Sequence, residues 1–337
     1  MTITESDWLE LEDAPGPGTG RSTRRIHSRS PHDMFLSVSH PGRRRMLVLR
    51  ADANAAEGVV RSLGRLPKTA GLELSLTSLS RHDYELHVIL TADDLREVFT
   101  PLVTDIAATA KDKPTTLEAL TAAVSRFGHW QSLLRSVGRD GLGAEARRGL
   151  YGEVLVLREQ LLTSISAAEA IAAWTGPTGA NQDFQRPEVA IEVKTTSARG
   201  SGTVRIASER QLDDTGASSL LLALVTLDER RGGLGQSLNA LVDQVRGQIA
   251  APSAKAQFDG LLIQAGYLPT QRELYGEPRY TLRDLRLWTV RDGFPRIVES
   301  ALPPGVSDCA YNVSVEGLDD YRLTDAEAAT LIRGKDE

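Results

Sequence analysis

The stretch that decides the fold is Ala190–Ser197, "AIEVKTTS", an apolar run that carries a glutamate and a lysine two apart in its middle. Strand side chains alternate between faces. Read as a strand, the segment sends Val189, Ile191 and Val193 one way and Glu192 and Lys194 the other. That second face is either solvent, where such an ion pair contributes about 0–1 kcal/mol, or a site. Working outward, "DFQRPEVAIEVKTTS" (183–197) reads as a strand pair turning at Pro187. Ahead of it, "GLGAEARRGLYGEVLVLREQLL" (141–162) sets Leu150, Val154, Leu157 and Leu161 on one helical stripe. "SAAEAIAAW" (166–174) is a short helix and "TGPTGAN" (175–181) a loop. Behind it, "TVRIAS" (203–208) reads as a third strand, and "SSLLLALVTLD" (218–228) has the continuous apolar pattern of a central strand buried on both faces. "GQSLNALVDQVRGQIA" (235–250) is an amphipathic helix, and 279–297 and 309–318 are later strands. This order predicts an α/β fold, a mixed sheet flanked by helices.

The N-terminal third has a different texture. "MFLSVSHPGRRRMLVLRAD" (34–52) and "LELSLTSLSRHDYELHVIL" (72–90) each read as two strands around a turn. Helical periodicity follows over 92–110 and 116–137. The expected organisation is a disordered segment over 1–22, an N-terminal α+β domain over 23–112, and a second domain over 113–337 with its core about 141–250.

Composition excludes several classes. A net charge of -6 rules out a generally basic nucleic-acid binder. One local patch stands out: residues 21–50 hold eight arginines and one acid, Asp33. It is either a solvated loop and turn or a phosphate-contacting surface. The single cysteine, Cys309, excludes an internal disulfide and a cysteine-cluster metal site. The acidic N-terminus lacks a secretory pattern, and no run approaches the ~20 apolar residues of a membrane span. The expected location is cytoplasmic. No helical His pair, G-K-[ST] phosphate loop or serine-nucleophile elbow occurs. Trp130, Trp174 and Trp288 read as packing residues.

The chemistry-bearing positions are Glu153, Asp183, Glu192 and Lys194. Glu153 borders the apolar stripe of its helix, with Gly149 and Gly152 beside it; glycines there suit a close approach of helix to sheet. A hairpin can set Asp183 beside Glu192, although sequence leaves the register open. Two carboxylates brought together repel, and burying both is costly without a counter-charge. A hard cation such as Mg²⁺ resolves this with oxygen ligands and retained waters. A lysine two residues on can orient the attacking water or stabilise charge on phosphorus.

Asp183, then Glu192-Val193-Lys194 on a strand, with Glu153 on a preceding helix, resembles the PD-(D/E)XK nuclease superfamily. "GLYGEVLVL", "WTGPTGANQDF" and "AIEVKTT" are similar to a bacterial subgroup associated with restriction and anti-phage gene clusters. The resemblance implies a restriction-endonuclease-like core and Mg²⁺-dependent hydrolysis of DNA, with Mn²⁺ able to substitute. It implies Asp183, Glu192 and Glu153 as metal-binding acids and Lys194 as the catalytic lysine. Gln211 stands for the glutamine that in some subgroups supports the site or contacts DNA. Gln182 departs from the pattern, which has proline there. The implied partners are DNA and proteins of a restriction or defence system. A homodimer would suit double-strand cleavage. The alternative is a catalytically silent module of the same fold that binds DNA or a partner protein.

Overall fold

The computed structural model describes residues 3–14, 20–63, 68–69, 71–137, 140–197 and 202–334. The chain forms two compact units, Met1–Gly138 and Arg139–Glu337.

The first unit runs α1 (Glu5–Asp13), β1 (Gly20–Ile26), β2 (Met34–His40), β3 (Arg44–Asp52), α2 (Ala53–Leu63), β4 (Lys68–Thr69), β5 (Leu72–Ser78), β6 (Asp83–Leu90), α3 (Arg96–Ala110) and α4 (Thr116–Val137). Its strands make one antiparallel six-stranded sheet in the order β1-β2-β3-β6-β5-β4. Two expectations change here. The segment 1–22 is not disordered where it is described: α1 buries Trp8 completely, with its ring 5.6 Å from that of Phe99. Residues 1–2 and 15–19 of that segment lie outside the described residues. The boundary expected after residue 112 falls after residue 138, because α4 packs against α2 and α3.

Of the two readings of the arginine patch, the structure bears against a free phosphate-contacting surface. Six of its eight arginines are ion-paired: Arg21 and Arg50 to Glu85, Arg24 to Asp7 and Glu10, Arg25 to Asp33, Arg43 to Asp13, and Arg45 to Glu5 and Glu12. Arg45 is fully buried. The acids of α1 supply most of these partners. A buried guanidinium needs such partners, because an unpaired buried charge is far costlier than a paired one. Arg45 is internal framework, whereas Arg21, Arg24, Arg25, Arg43 and Arg50 keep a third or more of their side chains exposed and are matched by neighbouring acids.

The second unit runs α5 (Ala144–Val156), α6 (Ala167–Ala173), β7 (Phe184–Gln185), β8 (Ala190–Ser197), β9 (Thr203–Ile206), β10 (Leu220–Arg230), α7 (Leu238–Gln248), α8 (Pro252–Gln264), β11 (Arg279–Val290), β12 (Tyr311–Ser314), β13 (Arg322–Leu323) and α9 (Asp325–Arg333). The main sheet has the order β13-β11-β10-β8-β7. β8 and β10 are parallel and the other neighbours antiparallel, so the sheet is mixed, as expected. β10 is buried on both faces: Leu221, Ala223, Val225 and Leu227 enter one core cluster, and Leu220, Leu222 and Leu224 another. "TVRIAS" is the exception: β9 leaves the main sheet and pairs with β12 in a separate two-stranded sheet. Among the described residues, no helix is long and apolar enough to cross a membrane.

The stripe Leu150, Val154, Leu157 and Leu161 is buried in the first of these clusters. Its helix is not uniform: Leu157–Leu161 form one π-helical turn, closed by the Leu162 N–H donating to the Leu157 carbonyl at 2.9 Å. The two glycines of α5 differ. A Cβ on Gly152 would lie 1.9 Å from Oγ1 of Thr195 on β8, whereas one on Gly149 would meet open space. Close helix–sheet packing therefore rests on Gly152 alone. Gly152→Ala is expected to destabilise the protein by about 1–3 kcal/mol through overpacking. Gly149→Ala is expected to be neutral or stabilising by up to about 1 kcal/mol. Denaturant melts of the two variants check this, and equal effects would refute it.

Candidate active site

The site begins with the β7–β8 hairpin. Phe184 pairs with Ile191 and Gln185 with Ala190, so the same register carried one residue further sets Asp183 opposite Glu192. The loop ahead of β7 folds back on this point: the N–H groups of Thr175 and Gly176 both donate to the Asp183 carbonyl, at 2.8 and 2.9 Å. The Asp183 side chain is fixed from the other strand, where its Oδ2 accepts the Val193 N–H at 2.7 Å.

Glu192 is 2% exposed. Its Oε1 lies 2.7 Å from Nζ of Lys194, which shares its face of β8. Its Oε2 is buried without a hydrogen-bond partner. Lys194 Nζ also donates to Oε1 of Gln211 at 2.9 Å, and that oxygen accepts the Ala207 N–H at 2.7 Å. Gln211 sits in a single 3-10 turn, Glu209–Leu212. Glu153 comes from α5, and its Oε2 accepts the indole N–H of Trp174 at 2.8 Å. Glu153 and Asp183 close on one glycine: a Cβ on Gly176 would stand 2.8 Å from Asp183 Oδ1 and 3.0 Å from Glu153 Oε2.

All five residues singled out in the sequence thus join one linked cluster. Three others had no site role assigned from the sequence. Trp174 is a packing residue, as expected, at 1% exposure, but it is also the donor that holds Glu153. Gly176 leaves the space in which two carboxylates approach each other. Gln182 donates to the Arg210 carbonyl in the turn that carries Gln211. The "WTGPTGANQDF" stretch contains all three, and nothing in local periodicity marks them.

Electrostatics set this cluster apart from a solvated strand face. Burial pushes Glu153 up to about 8, with the Asp183 charge adding to it and the Trp174 hydrogen bond and Lys194 opposing. Burial pushes Asp183 up to about 6, against the Val193 N–H and Lys194. Glu192 is held well above the usual carboxylate range, by burial first and by Asp183 second, with Lys194 opposing. Three carboxyls share one ammonium, so the site is short of positive charge. Groups perturbed in this way by desolvation and by one another cluster at functional sites.

The donor set fits a hard divalent cation. Every side-chain group except the lysine and the indole offers oxygen, and the unpartnered Glu192 oxygen is the kind of atom that a cation satisfies. Among the described residues, no group of three or more His, Cys, Asp or Glu side chains is arranged to hold a metal ion. The expected three-acid ligand set is therefore not a preformed cage.

A mixed sheet flanked by helices, with an acid hairpin and E-x-K on its second strand, defines a restriction-endonuclease-like protein. The chain belongs to the family described as "Putative PD-(D/E)XK family member, (DUF4420)", whose model matches residues 4–316 and so spans both units. No curated protein and no solved structure matches the chain.

Proposed function

We propose that this chain is a metal-dependent nuclease that hydrolyses DNA phosphodiester bonds, acting in bacterial restriction or anti-phage defence. The observation that carries the reading is the buried Glu192, ion-paired to Lys194 through one oxygen and unpartnered at the other, facing Asp183 across the hairpin. Asp183 and Glu192 would hold the metal, with Glu153 assisting directly or through a water. A bound Mg²⁺, or Mn²⁺ in its place, would supply a water of lowered pKa and charge neutralisation at the phosphate. Lys194 is placed to orient the attacking water and to stabilise the negative charge that develops on phosphorus. Gln211 holds the ammonium in place, and Trp174 holds Glu153. The family resemblance supports DNA as substrate, a defence setting in the bacterial cytoplasm, and partner proteins of that system.

The alternative is a silent module of the same fold that binds DNA or a partner without cutting, since fold and function are separable. One experiment separates the two. The protein is incubated with plasmid, linear and single-stranded DNA and with RNA, in Mg²⁺, Mn²⁺ or chelator. Metal-dependent DNA cleavage is the expected result. DNA binding without cleavage in either metal supports the silent module. Cleavage confined to RNA overturns the choice of substrate.

A further inference from the structure

Gln182 is the residue that departs from the family pattern. It is 7% exposed. Its Nε2 donates to the carbonyl of Arg210 at 2.8 Å and to that of Asp213 at 3.2 Å. Its Oε1 accepts from Nε2 of Gln185 at 2.7 Å. The amide is thus held at both ends, and only a donor at Nε2 satisfies two carbonyls. Those carbonyls belong to the Glu209–Leu212 turn and the residue after it. This is the turn that carries Gln211, whose side chain holds Lys194.

The turn is also anchored elsewhere. Arg296 donates to the Leu212 carbonyl at 2.9 Å. The buried Glu209 carboxylate accepts the Cys309 N–H at 2.7 Å. Both come from the segment between β11 and β12. Gln182 is the anchor from the side of the hairpin, and it is the residue next to Asp183. The Asp183 carboxylate accepts the Val193 N–H of β8, while the Gln182 amide reaches the turn.

We propose that Gln182 is a positioning residue: it fixes the Gln211 turn to the strand that bears Asp183, and so sets where the Lys194 ammonium stands relative to the two acids. A proline at this position would supply no donor, so the glutamine has its own task. The proposal rests on Lys194 and Asp183 forming one site, as the nuclease reading holds, but its test does not require cleavage.

The chain has only six lysines, which makes lysine side-chain resonances tractable by NMR. Full-length protein labelled at lysine is compared with Gln211→Ala, Gln182→Glu and Gln182→Met; Lys194→Met assigns the Lys194 signal. Gln182→Glu keeps the shape and the contact to Gln185 but removes the donor. Gln182→Met removes the donor without adding charge, and serves if the glutamate variant does not fold. The expected result is a shift of the Lys194 Cε and Nζ signals in all three variants, with the other lysines unmoved. The double variant Gln182→Met/Gln211→Ala should shift Lys194 no further than Gln211→Ala. An unmoved Lys194 signal in both Gln182 variants overturns the proposal, as does a shift fully additive with that of Gln211→Ala. A wild type that cuts no DNA would sink the nuclease reading while leaving this result standing.

Discussion

Lys194→Met is expected to slow metal-dependent DNA cleavage by about 10²- to 10³-fold, the usual loss on removing one charge-stabilising donor from a preorganised site. The methionine keeps the length of the side chain and removes the ammonium. Two effects follow from the geometry. The 2.7 Å partner of Glu192 is gone, and so is the positive charge nearest the site. In metal-free protein Glu192, already held above the usual carboxylate range by burial, is pushed further toward its protonated form. With the divalent cation at saturation, Glu192 regains a counter-charge and only the lysine's own contribution is missing. Single-turnover cleavage in saturating Mn²⁺ isolates that contribution. Lys194→Arg is not expected to rescue it, because a planar guanidinium cannot occupy the point between Glu192 and Gln211 that a compact ammonium fills. Full activity in Lys194→Met would mean that the lysine is a structural partner of Glu192 and nothing more.

How much of this was legible before the structure differs by residue. Asp183, Glu192 and Lys194 could be read because they lie nine and two residues apart on a hairpin. Period-two alternation then ties their faces together whatever the surrounding fold. Leu220–Leu227 announced a doubly buried strand by its unbroken apolar run. Gln211 came only through the family resemblance, since a glutamine in a polar turn carries no local signal. Trp174 and Gly176 were hidden for a different reason. Their roles arise when the 175–181 loop returns to the Asp183 carbonyl, a tertiary event that no periodicity encodes. β9 was misplaced because its partner, β12, follows about a hundred residues later, and an exposed–buried alternation fits either sheet. The arginine patch stayed open between a solvated turn and a phosphate surface because a count of charges along 21–50 ignores the acids at 5–13 that pair with it.

The second large effect concerns metal and pH together. The folded, metal-free site holds Glu153 at about 8 and Asp183 at about 6, both raised chiefly by burial. A raised carboxyl favours its protonated form in the folded state. The stability it contributes is fully present below the unfolded carboxylate range, near pH 4. That stability is lost as pH rises, through about 6 for Asp183 and about 8 for Glu153. Metal-free protein is therefore expected to melt at a lower temperature at about pH 9 than at about pH 5. A divalent cation must displace these protons, so it binds more tightly as pH rises. Saturating Mn²⁺ should raise the melting temperature by mass action, and by more at the alkaline end. At a hundredfold excess over Kd this amounts to about 2.7 kcal/mol. Asp183→Asn should remove most of the increment and flatten the decline in metal-free stability through pH 6. Scanning calorimetry with and without Mn²⁺ at both ends of the range measures each part. A metal increment that is the same at both pH values, or that survives Asp183→Asn, would place the metal somewhere other than between the two strands of the hairpin.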